Sequence, residues 1–197
     1  MALLCCWSTA ACAADAWCTA LSKPAYSFEW VANSEVEDNT GSVRVKDASG
    51  KTVQVLANLE NYYGSSDGLD ARRDFNNDGC PDLVVTHSKA GIGNESARVF
   101  LYSRSRQRFE ANEALSNIGG LDLDPRDRNC VTGSWKGGAQ DINWEQHCWN
   151  KGKLVLMREG SVSPMYDEEG TFQCYEHVET TYRNGKKHTR TDCTQEF

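Results

Sequence analysis

Short runs that alternate apolar with polar residues, broken by turn signals roughly every 8 to 12 residues, occupy almost the whole chain. That period of two constrains the fold more than any other feature. The stretch "SVRVKDASGKTVQVL" alternates on both sides of a glycine-containing turn and predicts a hairpin. "PDLVVTH" and "ARVFLYS" are denser strands, the second followed by the turn "RSRQ" and a partner, "RFEAN". "CVTGSW" and "DINWEQHCW" flank "KGGAQ", and "WNKGKLVLMRE" turns at Asn150 to Gly152. The tail forms two long polar strands around Asn184-Gly185, and "EANEALSNI" alone reads as briefly helical. We therefore expect an all-β antiparallel fold, a propeller-like or sandwich domain with an added C-terminal hairpin over about 171–197.

At 197 residues the chain suits one domain, expected over 17–197. The opening "MALLCCWSTAACAADAWC" reads as a Sec-type signal peptide over 1–16. An apolar run is followed by the A-x-A patterns "ACA" and "ADA". No lysine or arginine precedes that run, which allows a start upstream. The run is too short for a transmembrane anchor, which needs about 20 apolar residues. Cys12 makes lipid anchoring the lesser expectation, since Thr9 stands where an aliphatic residue is usual. The expected location is periplasmic or secreted. A net charge of -7 argues against nucleic acid and favours a cationic partner.

The nine cysteines support export. Without Cys5, Cys6 and Cys12 an even set is left: Cys18, Cys80, Cys130, Cys148, Cys174 and Cys193. None forms a C-x-x-C pair, so disulfides are favoured over a zinc ribbon or a redox site. Cys130 and Cys148 are equidistant from Ala139 in "KGGAQ", as cross-strand partners in a hairpin would be. Cys174 and Cys193 are equidistant from the Arg183–Asn184 bond, one residue from the expected turn. Those pairings would leave Cys18 for Cys80, one connectivity among several.

In "DFNNDGCPDL", Asp74, Asn76, Asp78 and Asp82 fall at alternating loop positions with Gly79 at the sharp turn. Hard oxygen donors at that spacing suit calcium, with the Cys80 carbonyl as a further ligand. An EF-hand would need Glu at the last position, where Val85 stands, and a helix where "LVVTH" reads as a strand. The loop instead resembles that of integrin-like FG-GAP proteins, D-x-N-x-D-G-x-x-D leading into an apolar strand. The plain alternative is an Asx-rich turn that binds nothing. We expect one structural calcium ion rather than a catalytic metal.

No H-E-x-x-H, G-x-S-x-G or nucleotide-binding glycine loop is present, and the chain reads as a non-enzyme. "NLENYYGSSDG" sets Tyr62 and Tyr63 beside Ser65 and Ser66 among small residues, a frequent composition for a recognition loop.

From about Leu69 to Glu159 the segments "DFNNDGCPDLVV", "ARVFLYSRSRQRFEANEALSNI", "RNCVTGSWKGGAQ" and "WNKGKLVLMRE" follow one another. This succession resembles exported β proteins related to the periplasmic inhibitors of i-type lysozyme. That group includes immunity proteins against lysozyme-like, peptidoglycan-cleaving type IV secretion effectors. The resemblance implies a calcium-stabilised inhibitor that plugs a muramidase cleft with a loop carrying Tyr or Ser. We expect a monomer or small homo-oligomer. Tyr62, Tyr63, Ser65 and Ser66 match that loop in kind. The other reading is an FG-GAP adhesion or ligand-binding module, although such modules come as several copies and this chain has one.

Overall fold

The structure, a computed structural model, describes residues 17–18, 25–34 and 39–197. The expected signal peptide lies outside them. The described chain is nearly all β. Strands β1 (Tyr26–Ala32), β2 (Thr40–Asp47) and β3 (Thr52–Glu60) form a three-stranded sheet. A four-stranded sheet comprises β4 (Leu69–Arg73), β5 (Asp82–Lys89), β6 (Glu95–Ser103) and β7 (Arg108–Ala111). The third sheet has six strands: β8 (Asp122–Leu123), β9 (Cys130–Gly138), β10 (Asp141–Asn150), β11 (Lys153–Tyr166), β12 (Phe172–Arg183) and β13 (Lys186–Thr194). The described pairings are antiparallel, and none of the sheets among the described residues closes into a barrel. The helical stretch shrinks to one turn, Glu113–Ser116, capped by Asn112 and Asn117, since Leu115 alone of its residues is buried. No helix among the described residues is long and apolar enough to cross a membrane.

The chain divides into two compact units. The first holds the described residues up to Val85 together with Phe100–Ala111. Alternation in β2 turns Val43 and Val45 inward and leaves Arg44 exposed. Those valines join Trp17, Trp30, Leu56, Leu83, Val85, Phe100, Tyr102 and Phe109 in one core. Phe109 is its centre, with Phe28 at 5.3 Å, Tyr102 at 5.2 Å and Trp17 at 5.8 Å between ring centroids. Gln54 ties β3 to β7: its amide donates to the Phe109 carbonyl (2.8 Å) and accepts the Phe109 N–H (2.9 Å). The Cys18–Cys80 disulfide fastens the start of the described chain to this core, and the Trp17 indole donates to the Pro81 carbonyl at 2.9 Å.

The second unit holds Thr86–Val99 and Asn112–Phe197. Here Cys130 and Cys148 face each other across β9 and β10 and are bonded. Asn184 and Gly185 both take positive φ, 51° and 72°, which a two-residue hairpin turn of matching twist requires. The tail hairpin continues the six-stranded sheet, since β12 pairs with β11 along its length. Its register is centred one residue later than the cysteine spacing implies. Cys193 stands opposite Glu176, so its bond to Cys174 runs diagonally between the strands. Gly160 lies opposite Trp144, and a Cβ there would come within 2.6 Å of the indole, so glycine is what lets the ring lie across the strand.

Candidate partner-binding loop and carboxylate loop

β3 runs into Asn61, whose side chain organises the turn that follows. Its amide donates to the Ser65 carbonyl (2.7 Å) and its oxygen accepts the Tyr63 N–H (3.1 Å). Asn61 is itself buried, and a Cβ on Gly68 would sit 2.0 Å from its oxygen. Ser65 caps the 3-10 turn Ser66–Gly68, accepting the Asp67 N–H and donating to the Asp67 carboxylate (3.1 Å). Ser66 Oγ accepts the N–H of Trp30 at 3.1 Å, bracing the turn against β1. Of the four residues expected to contact a partner, the two serines thus serve the loop itself. The tyrosines are free to present their rings: Tyr62 is 51% and Tyr63 44% exposed. The rings meet edge to face, 5.2 Å apart at 89°. A loop held this firmly loses little entropy when its rings dock.

The carboxylate loop follows in the same unit. Asp74 accepts the N–H groups of Asp78 (3.2 Å) and Gly79 (2.8 Å). Asn76 accepts the Asp78 N–H and donates to the Asp78 carboxylate at 3.0 Å, and Asp78 accepts the Cys80 N–H at 2.8 Å. Asn77 and Gly79 turn the chain with φ of 54° and 83°. Arg104 backs the loop, donating to the Asp78 carbonyl and to the Cys80 sulfur, both at 2.8 Å. Asp82 is fully buried. One of its oxygens accepts the Phe75 N–H (2.8 Å), the other the Tyr102 N–H (2.9 Å). Burial pushes its carboxyl up to about 8. The two N–H donors oppose the rise, and the charges of Asp74 and Asp78 add to it.

The donors are of the kind calcium takes, hard oxygens with little nitrogen or sulfur among them. A divalent cation would also offset the mutual repulsion of Asp74, Asp78 and Asp82. Their side chains here bond to backbone N–H groups as in Asx turns. Among the described residues no group of three or more His, Cys, Asp and Glu side chains is disposed to hold a metal ion. The sequence singled out Asp74, Asn76, Asp78, Cys80 and Asp82 as one loop; the structure sets the first four in a single turn and Asp82 at the start of β5. It did not single out Asn61 or Arg104, because an isolated asparagine or arginine shows no pattern until its contacts are known.

The sequence matches no protein family and no curated protein. A Bacteroides fragilis protein of unknown function aligns over 86% of this chain and 93% of its own, at 9% identity and a TM-score of 0.28, too low to carry an argument. A solved Xanthomonas protein related to a type IV secretion system covers 86% of this chain and 87% of its own, at 17% identity and a TM-score of 0.53. At that identity the likeness is one of fold, and the fold of this chain is similar to that of the Xanthomonas protein.

Proposed function

We propose that this is an exported, non-catalytic inhibitor or immunity protein that blocks a lysozyme-like, peptidoglycan-cleaving enzyme. The observation that carries the reading is the braced loop offering Tyr62 and Tyr63. Exposed aromatic rings on a rigid turn are suited to filling a partner's cleft. The fold likeness to a type IV secretion related protein supports the setting, since effectors of such systems call for immunity in the cell that makes them. The net charge of -7 suits a basic partner, and three disulfides suit the periplasm or the medium. In this reading one calcium ion, held by Asp74, Asn76, Asp78, the Cys80 carbonyl and Asp82, stiffens the carboxylate loop and takes no part in chemistry.

The test is peptidoglycan lysis by a panel of lysozymes and muramidase effectors, with and without the protein. Inhibition of at least one member is expected. Tyr62→Ala and Tyr63→Ala should each weaken it roughly 10- to 100-fold, the span of a hot-spot truncation, with thermal stability unchanged. Full inhibition by both variants would remove the loop from the account. No inhibition across the panel would refute the function.

A further inference from the structure

The second unit carries an aromatic surface of its own, where β11 turns into β12. Tyr166, Phe172, Tyr175 and Phe197 form a continuous row, with ring centroids 6.0, 4.9 and 5.1 Å apart in that order. Unlike the rings around Phe109 in the first unit, three of these face solvent, and Tyr175 among them is half-buried. Tyr166 is 53%, Phe172 37% and Phe197 56% exposed. Exposed large apolar side chains placed singly need no explanation, but a contiguous row of them does.

The row is held in place. Asp167 closes the turn by accepting the N–H groups of Glu169 (3.0 Å) and Thr171 (2.8 Å) with one oxygen, and the Gln173 amide (2.8 Å) with the other. The Cys174–Cys193 bond and the Gln195 amide, donating to the Gln173 carbonyl at 2.6 Å, keep the C-terminal segment alongside β12. Gln140 donates to the Tyr175 hydroxyl at 2.8 Å.

Charge says what would cover it. Asp167, Glu168 and Glu169 form the turn between Tyr166 and Phe172, Glu196 precedes Phe197, and no lysine or arginine lies between Arg158 and Arg183. Two such surfaces brought face to face would set carboxylate against carboxylate, so a second copy of this chain is a poor occupant. Anionic lipid would be repelled in the same way. A lysine or arginine side chain fits both features, its stem and cationic head over the ring faces and its charge beside the carboxylates.

We propose that the β11–β12 end is a docking surface for a basic protein segment, with lysine or arginine side chains seated on the Tyr166–Phe172–Tyr175–Phe197 row. The surface lies in the second unit and Tyr62 and Tyr63 in the first, so the proposal stands whether or not the protein inhibits a muramidase.

Titrating isotope-labelled protein with synthetic lysine–alanine and arginine–alanine repeat peptides tests it, with a glutamate–alanine peptide as control. The basic peptides are expected to shift the backbone amide signals of residues 165–176 and 193–197, more weakly at high salt, and the acidic peptide to shift none. The double variant Tyr166→Ser/Phe197→Ser, on exposed positions, should weaken binding at least about tenfold. Glu168→Gln/Glu169→Gln should weaken it and flatten its salt dependence. Shifts spread evenly over the other carboxylates of the chain, such as Asp70 and Glu110, or unchanged affinity in the aromatic variant, would reduce the binding to general charge attraction and overturn the proposal. So would concentration-dependent dimerisation through the same residues, or cosedimentation with lipid vesicles that the aromatic variant abolishes.

Discussion

Asp82 joins two segments through its two oxygens, one taking the N–H of Phe75 in the carboxylate loop, the other that of Tyr102 in β6. Asp82→Ala leaves both donors buried without an acceptor, at about 1–3 kcal/mol each, while relief of the buried carboxylate offsets part of that. A net loss of roughly 2–4 kcal/mol is expected in urea unfolding, and a variant as stable as wild type would show that water replaces the carboxylate. Asp124 behaves oppositely toward acid. Burial alone would raise its carboxyl, but the Arg126 N–H at 2.8 Å and the Gln146 amide, with the nearby Arg126 charge, outweigh burial and hold it below the ordinary value. A depressed folded-state value contributes stability that is complete above the unfolded value, about 3.9. That contribution is lost as pH falls through the folded one. Asp124→Asn should therefore lower stability at neutral pH and flatten its decline below about pH 4, as read from unfolding midpoints across pH. Neither role was legible in the sequence. Asp82 was readable as part of a spaced set of oxygens, but one of its N–H partners, Tyr102, lies twenty residues away on β6, a proximity no local pattern states.

Hairpins were the most legible elements. β2–β3, β9–β10 and β12–β13 each close on a turn whose residues announce it, and β5 and β6 are apolar enough to be recognised alone. β1, β4 and the two-residue β8 were missed because short strands with mixed polarity take their identity from neighbours rather than from their own alternation. The disulfides act at this scale too. Cys18–Cys80 spans 62 residues and Cys174–Cys193 spans 19, so chain entropy assigns them about 4 and 3 kcal/mol. Their loss should differ in kind. Cys18→Ala/Cys80→Ala removes a buried link in the aromatic core and should lower the global unfolding midpoint. Cys174→Ala/Cys193→Ala frees a strand whose residues are all exposed, and should speed amide exchange along β13 with a smaller fall in that midpoint. Equal midpoint losses in the two variants would contradict this division.

At the scale of the whole molecule, the calcium proposal has a direct thermal test. An ion present at a hundred times its dissociation constant stabilises by about 2.7 kcal/mol, which for a chain of this length raises the melting temperature by roughly 5–10 °C. Chelator should reverse that rise, and Asp74→Ala/Asp78→Ala should abolish it; a melting temperature indifferent to calcium would leave the loop as an Asx turn alone. Local pattern was enough to determine that the chain is all β, where its main hairpins turn, which six cysteines form an even set and where the oxygen-rich loop lies. These properties depend on residues close in sequence, where side-chain period and turn chemistry act directly. Only the tertiary structure decided that Ser65 and Ser66 brace their loop while Tyr62 and Tyr63 face outward, that Asp82 is buried between N–H donors, and that Tyr175 meets both Phe172 and Phe197 in one row. Those outcomes rest on contacts between distant segments, and burial and hydrogen-bond partners exist only once the chain has closed on itself.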